Sequence, residues 1–305
     1  MLRFIVIGLA IISPFFFLGI IDRVKAIWAG RKGASIFQPY YNFFKLLHKG
    51  EVISTTTSFI FQLTPSLNVA AVLLALMIVP MPVVGSVINF PGDFVLFAYI
   101  LGLSKFFTVL AAMDTGSSFE GMGASREAAF STIIETAFFV VIGSLSLLTG
   151  RTSFAEIFLM LNVSAGYTAL VKILLVISLF IMLLTEGSRV PVDDPNTHLE
   201  LTMIHEVMIL DYSGPDLAFI LYAAGLKMVV ISILIADLLI PVKLLMVHPL
   251  IFFAAVLVLI FMLIGMIESL IARSRMSHVP QFIFMMTALS LTAFAVIIFF
   301  LRGGL

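Results

Sequence analysis

The chain has no cysteine and a single tryptophan, and only 11% of its 305 residues are charged. Without thiols it can form no disulfide, no Cys-ligated iron–sulfur cluster and no thiol nucleophile. Any redox metal that serves it therefore belongs to a partner, and neither a cofactor nor a metal is expected on the chain itself. Soluble proteins are about one quarter charged. Here 61% hydrophobic residues, 30 Phe and a mean hydropathy of +1.19 point to lipid as the solvent. Lys+Arg and Asp+Glu both number 17, so no net charge is left to attract nucleic acid.

A bilayer core takes about 20 mainly apolar residues in helical form. Eight segments qualify, at about 2–21, 67–88, 94–113, 127–149, 167–186, 216–240, 248–272 and 281–301. They are unbroken and lack period-two alternation, which predicts helices rather than a barrel. The fold class is thus an all-α polytopic integral membrane protein of about eight transmembrane helices, read as one transmembrane domain over 1–305. The first segment has no small-x-small site before the basic stretch that follows, so it reads as a span and not as a removable leader. The apolar stretch 154–161 is too short to cross and is expected to form an interfacial turn.

Lys and Arg concentrate in the odd-numbered connections: Arg23, Lys25, Arg31, Lys32, Lys45, Lys49, Arg126, Arg189, Arg273 and Arg275. The termini and even connections hold Arg3, Arg151, Lys243 and Arg302. The positive-inside rule then places the odd connections in the cytoplasm and both termini outside. The two longest connections, 22–66 and 187–215, fall on that cytoplasmic side, and long loops in compact proteins are usually functional or disordered.

The first long loop carries Gly30-Arg31-Lys32-Gly33 and then Gln38-Pro39-Tyr40, followed by an amphipathic stretch over 40–47. Its cations read either as an anchor on anionic headgroups or as part of a shaped turn. The second loop reads Glu186-Gly187-Ser188-Arg189-Val190-Pro191-Val192-Asp193-Asp194-Pro195-Asn196-Thr197-His198-Leu199-Glu200. Pro191 and Pro195 hold it extended. Thr197 with Glu200 fits a capping box that would open a short helix running to about residue 210, which gives Glu200 a structural reading beside a functional one. His198 and His205 lie seven apart, which suits a metal pair on one helical face, or two histidines turned to solvent or a partner. Glu186, Asp193, Asp194, Glu200, Glu206, Asp211 and Asp216 face one loop cation, Arg189. Crowded carboxylates raise one another's pKa, which suits proton exchange.

Ionisable residues at membrane depth are costly and point to function. Glu135, Lys105 and Lys227 lie well inside their spans. Snorkelling to the interface accounts for Asp237, Glu268 and Lys172. A Glu135–Lys pair reads either as a structural staple or as part of a proton or sodium path. Asp114, Glu120 and Glu127 flank the third connection and could carry that path to the surface.

The pattern Glu186-x-x-Arg189-x-Pro191-x-Asp193-x-Pro195, leaving a fifth span, resembles the signature of the complex I membrane subunit that bears the quinone chamber. Arg31-x-Gly33 with Gln38-Pro39 matches the family's other signature. Asp114-Thr115-Gly116-Ser117 and Gly123-Ala124-Ser125-Arg126-Glu127 resemble the branch found in formate hydrogenlyase and energy-converting membrane-bound nickel–iron hydrogenases. Where quinone-using members carry a denser acidic run, this chain has Asn196-Thr197-His198-Leu199-Glu200, which favours the hydrogenase-like branch. The resemblance implies a non-catalytic, energy-coupling subunit of a prokaryotic inner (cytoplasmic) membrane. It would dock hydrophilic redox-arm subunits carrying iron–sulfur clusters, with a nickel–iron centre in hydrogenases, and would work beside antiporter-like membrane subunits. Carried over by position, Glu186, Arg189, Asp193 and Glu200 would line the loop at the redox junction, where Asp194, His198 and His205 are also expected. Arg31 and Gln38 would stand at the chamber mouth, and Glu135 would be the buried glutamate of a lateral charge path. A quinone-reducing complex is the near alternative, and a free-standing ion-coupled transporter the distant one.

Overall fold

A computed structural model describes residues 2–81, 84–161, 166–193, 203–240 and 249–303. Among them the secondary structure is helical: α1 Leu2–Trp28, α2 Gln38–Leu47, α3 Phe59–Ile78, α4 Asp93–Asp114, α5 Ser118–Thr149, α6 Phe154–Met160, α7 Gly166–Glu186, α8 Gly214–Leu239, α9 Pro249–Leu270 and α10 Val279–Gly303. Eight of these, all but α2 and α6, are long and apolar enough to cross a membrane. Apolar helices whose backbone groups are satisfied internally are what a bilayer demands.

Helix α8 is the most buried of the spans, as expected for a helix that is apolar on nearly every face. It packs against α3, α7, α1 and the short α2. Helices α5, α7 and α10 form one side of the bundle, α1 and α9 the other, and α4 closes against α3 and α5. Helix α2 has no buried residue. It lies along the bundle with Phe43 against Phe15 and Tyr222, at centroid distances of 5.2 and 5.7 Å, which is the amphipathic surface element expected over 40–47.

Three expectations need correction. The second span is not 67–88 but α3, Phe59–Ile78. Pro80 pushes Val79 into an extended conformation and ends the helix there. The helix also starts earlier than hydropathy suggests, because Thr64 and Asn68 are buried in hydrogen bonds. The fourth span begins at Ser118 rather than 127, since Glu120, Arg126 and Glu127 all find partners there. The stretch 154–161 is no mere turn: α6 is a short helix whose first free amide, Phe154 N, donates to buried Asp93 at 2.9 Å.

Both long connections emerge at one end of the bundle and touch. Val52 N donates to Ser213 Oγ at 3.0 Å, and a Cβ on Gly214 would lie 2.8 Å from the Gly50 carbonyl oxygen. At the opposite end Arg3 donates to the Ser86 carbonyl at 2.8 Å, and Tyr167 stacks on Phe300 at 4.4 Å.

The first loop presses closely on α1 at Gly19, where an added Cβ would stand 1.7 Å from the Ile36 carbonyl oxygen. Gly19→Ala is therefore expected to cost about 1–3 kcal/mol, the usual price of overpacking, and to lower the thermal midpoint of the full chain in detergent. Gly8→Ala, with nothing within 4 Å of the new carbon, is the matched control and should stay within about 1 kcal/mol of the parent.

Candidate functional site

The ionisable residues on α4, α5, α7 and α8 converge. Lys105 on α4 forms an ion pair with Glu186 Oε1, at the last residue of α7, and its Nζ is 3.4 Å from Glu127 Oε1 on α5. Lys227 on α8 reaches the other oxygen of Glu186 at 3.1 Å. His205 Nε2 lies 3.0 Å from Glu127 Oε2, and its Nδ1 is 3.6 Å from Asp193 Oδ2. Arg273, just past α9, closes the chain on Asp193 Oδ1 at 2.9 Å. One connected line of charge thus runs from the interior of the bundle to the second long loop. Its carboxylate side chains are at most 5% exposed. An unpaired ion so buried costs several kcal/mol, and pairing is what lets these residues remain ionised.

The loop is held in place by Asp193. Its Oδ2 accepts from Ile204 N and His205 N, both at 3.0 Å, so one carboxylate ties the start of the loop to its return. The returning segment forms a 3₁₀ turn, Glu206–Ile209, not the α-helix expected to reach about residue 210. It rests on α5 at Gly123, where a Cβ would stand 2.3 Å from Val207 Cγ1 and 2.9 Å from the Ile204 carbonyl. Arg126 adds a bond to the Met203 carbonyl at 2.8 Å. Residues 194–202 lie outside the described residues, and with them Asp194, His198, Glu200, the capping box and the histidine pair.

Beside this line is a cavity of about 100 Å³ lined by Asn68, Ser104, Lys105, Thr108, Glu127, Glu186, His205 and Lys227 among others. Asn68 bridges Ser104 and Thr108, accepting at 2.7 Å and donating at 3.0 Å. These neutral groups were not singled out in the sequence, where a lone Asn or Ser in an apolar run gives no sign of what it faces. A second cleft, of about 260 Å³, abuts the first at Ser188 and Glu206. Its walls are mostly apolar, with Phe15, Leu18, Phe43 and Tyr222 under Pro39 of α2.

Several expected site residues lie elsewhere. Among the described residues Arg189 pairs with no loop acid. It pairs at 3.3 Å with Glu268 on α9, which also holds Lys25 at 2.7 Å. Glu268 does not snorkel, for its side chain is 0% exposed. Asp114 caps the start of α3 by accepting from Ser58 N at 2.6 Å, and buried Glu120 accepts from Asp211 N at 3.1 Å. Both work as backbone clips, and no contact described here brings them to Lys105. Glu135 is not buried: it is exposed on the flank of α5, in a slot opened by Gly102, where a Cβ would lie 3.2 Å from its Oε1. That groove also reaches Lys105, Tyr99 and Phe106. The Gln38 side chain donates to Asn42 Oδ1 at 2.9 Å within α2, and Arg31 lines a separate cleft with Lys25 and Glu268. Among the described residues, Asp237 keeps a buried oxygen without a hydrogen-bond partner.

Comparison with known proteins fits this arrangement. The family model described as NADH dehydrogenase matches residues 1–300. The chain belongs to this NADH dehydrogenase family, that of the complex I-type membrane subunits. Within the family it is 30% identical over 234 residues to hydrogenase-4 component C of Escherichia coli (strain K12), covering 76% of this chain and 72% of that protein. It is 25% identical over 223 residues to formate hydrogenlyase subunit 4 of the same organism, covering 73% and 72%. These relatives belong to the branch that the third-connection motifs resemble. The fold matches a chain in a structure of the membrane-bound sulfane sulfur reductase, an archaeal respiratory membrane complex, with TM-score 0.80 and 21% identity over 97% of this chain and 98% of that one.

The clasp between loop and bundle has a defined pH window. Burial works against a charged His205 ring, but the Glu127 and Asp193 carboxylates outweigh it and hold the ring at about 9 against an ordinary 6.5. Burial would likewise raise Asp193, yet the His205 ring and amide and then Arg273 keep it below the usual carboxylate value. His205 therefore contributes stability that is whole below pH 6.5 and lost as pH rises through about 9. Asp193 contributes stability present above its ordinary range and lost as pH falls through its lowered value. The thermal midpoint of the full chain in detergent should decline on both sides. His205→Gln should flatten the alkaline decline and leave an acid one.

Proposed function

We propose that this chain is the energy-coupling membrane subunit of a hydrogenase- or formate-hydrogenlyase-like respiratory complex. In this reading the loops 22–66 and 187–215 face the cytoplasm and seat a hydrophilic redox arm carrying iron–sulfur clusters, with a nickel–iron centre in a hydrogenase. The flank bearing Glu135 meets an antiporter-like membrane subunit. The observation that carries the reading is the unbroken ionic line Asp193–His205–Glu127–Lys105–Glu186–Lys227. It joins the loop that would lie under the arm to the interior of the bundle. A change of charge or proton occupancy at the loop is felt along it, because each member is paired with the next. The chain's own residues perform no redox step here; they hold and move charge.

The abutting apolar cleft favours one alternative, a quinone-reducing complex of the same family. Its Phe15, Phe43 and Tyr222 walls suit a flat ring with an isoprenoid tail. Assaying the purified assembly with formate, reduced ferredoxin and quinone in turn separates the two readings.

The coupling role is tested in vesicles holding the intact assembly. Glu127→Gln removes the carboxylate shared by His205 and Lys105, and ion movement per electron should fall about tenfold or more while the arm remains attached. Glu135→Gln should also leave assembly intact and lower ion movement. Unchanged pumping by both variants would make these residues structural. Recovery of the chain as a lone, ion-transporting polypeptide would replace the reading with that of a free-standing transporter.

A further inference from the structure

A separate cleft, at the ends of α1 and α9, shares no lining residue with the cavity beside the ionic line or with the apolar cleft. Lys25, Trp28, Arg31, Gly33, Glu268 and Ser269 line it. Its rim is built by a tight turn. Gly30 and Gly33 both take φ +66°, in the region that favours glycine. A Cβ on Gly33 would meet the Ala26 side chain at 2.3 Å, so residue 33 must be glycine for the turn to close on α1. The Arg23 guanidinium donates to the Lys32 carbonyl and fastens the turn. Arg31 and Lys32 are left exposed at the rim, with no carboxylate within ion-pair distance among the described residues.

The cleft's own carboxylate does not repel an anion. Glu268 is already shared by Lys25 at 2.7 Å and Arg189 at 3.3 Å, so the pocket carries a surplus of positive charge. The adjoining helix ends expose hydrocarbon: Trp28 is 54% and Leu270 65% exposed, with Ile27 and Ile271 beside them. A free anion would match the cations and leave this apolar surface wet. The redox arm proposed above for the loops 22–66 and 187–215 would meet the cations but gain little from four large apolar side chains, so a lipid is placed only where the turn borders the exposed ends of α1 and α9. A lipid covers both, and a tryptophan ring settles at the headgroup level of a bilayer.

We propose that this cleft seats an anionic phospholipid, its phosphate against Arg31 and Lys32 and its acyl chains along Ile27, Trp28, Leu270 and Ile271. The bound headgroup would stand one ion pair away from Arg189, since Glu268 joins Lys25 to that residue.

Trp28 is the chain's single tryptophan, so its fluorescence reads this cleft directly. The full chain is placed in phosphatidylcholine nanodiscs containing a small, fixed fraction of phosphatidylglycerol brominated on its acyl chain. Brominated phosphatidylcholine at the same fraction serves as the comparison. The anionic lipid should quench Trp28 about fivefold more effectively, the preference that one basic side chain near a charged surface provides. Arg31→Gln combined with Lys32→Gln should bring the two lipids to parity, while Arg31→Lys keeps most of the preference. Both changes lie in an exposed turn and leave α1 intact. Equal quenching by the two lipids in the parent chain overturns the proposal. So does relief of quenching by millimolar inorganic phosphate, which would make the cleft a free-anion site. Capture of a polypeptide by a photo-crosslinker at position 31 in native membranes would assign it to a protein partner and also overturn it.

Discussion

Charge can stay inside an apolar bundle only where every ion has a partner, and this constraint organises the structure. Glu127, Glu186 and Asp193 face Lys105, Lys227, His205 and Arg273, and the pairs are contributed by α4, α5, α7, α8, the second loop and the segment after α9. No one helix supplies a neutral set. Removing one member strands another in low dielectric, at about 3–5 kcal/mol for a buried pair. The helices are thus held in register by electrostatic need as well as by packing. The same need explains how α5 can run on to Ser118 through Glu120, Arg126 and Glu127. Each of those side chains has a partner outside the helix.

Eight long helices were legible because lipid imposes a length and a composition that hydropathy reads directly. The loop motifs were legible too, since Pro191, Asp193 and Arg189 stand in a spacing that marks the family. The ends of α3 and the start of α5 were not. Polar residues such as Thr64, Asn68 and Glu120 lower a hydropathy window whether or not they are hydrogen-bonded, and the bonds that permit them run to distant parts of the chain. Glu268 shows the same limit more sharply. One turn from a helix end it looks like a residue reaching for water, and only the folded chain places Lys25 and Arg189 around it. Arg273 gave no signal either: its partner Asp193 is 80 positions away in sequence and beside it in space.

The carboxylates divide into three groups that their sequence positions do not distinguish. Asp93, Asp114 and Glu120 accept from backbone amides and fix local structure. Such carboxylates hold amides that would otherwise be unsatisfied, and structural need alone accounts for them. Glu127, Glu186 and Asp193 bind cations and one another's cations, so the state of each depends on the others. Glu135 belongs to neither group. It is exposed on the flank of α5, in a slot made by the absence of a side chain at Gly102. Against hydrocarbon an ionised carboxylate there would be costly, which is the physical reason to expect a polar neighbour on that face.

Lys105 is where these considerations meet. Its ammonium touches both Glu186 and Glu127, and it shares the flanking groove with Glu135. A proton placed on Glu127 would weaken two attractions together, those to Lys105 and to His205, and leave Glu186 as the stronger partner for the lysine. Loss of the His205 proton would have the converse effect, making Lys105 the main support for an ionised Glu127. The loop and the bundle interior therefore cannot change protonation independently. That interdependence follows from the shared partners alone and requires no movement of a helix. It also explains why the loop is tied so firmly at Asp193: His205 can act on Glu127 only while its ring stays within 3.0 Å. The two amide bonds and the Arg273 contact to Asp193 hold it there.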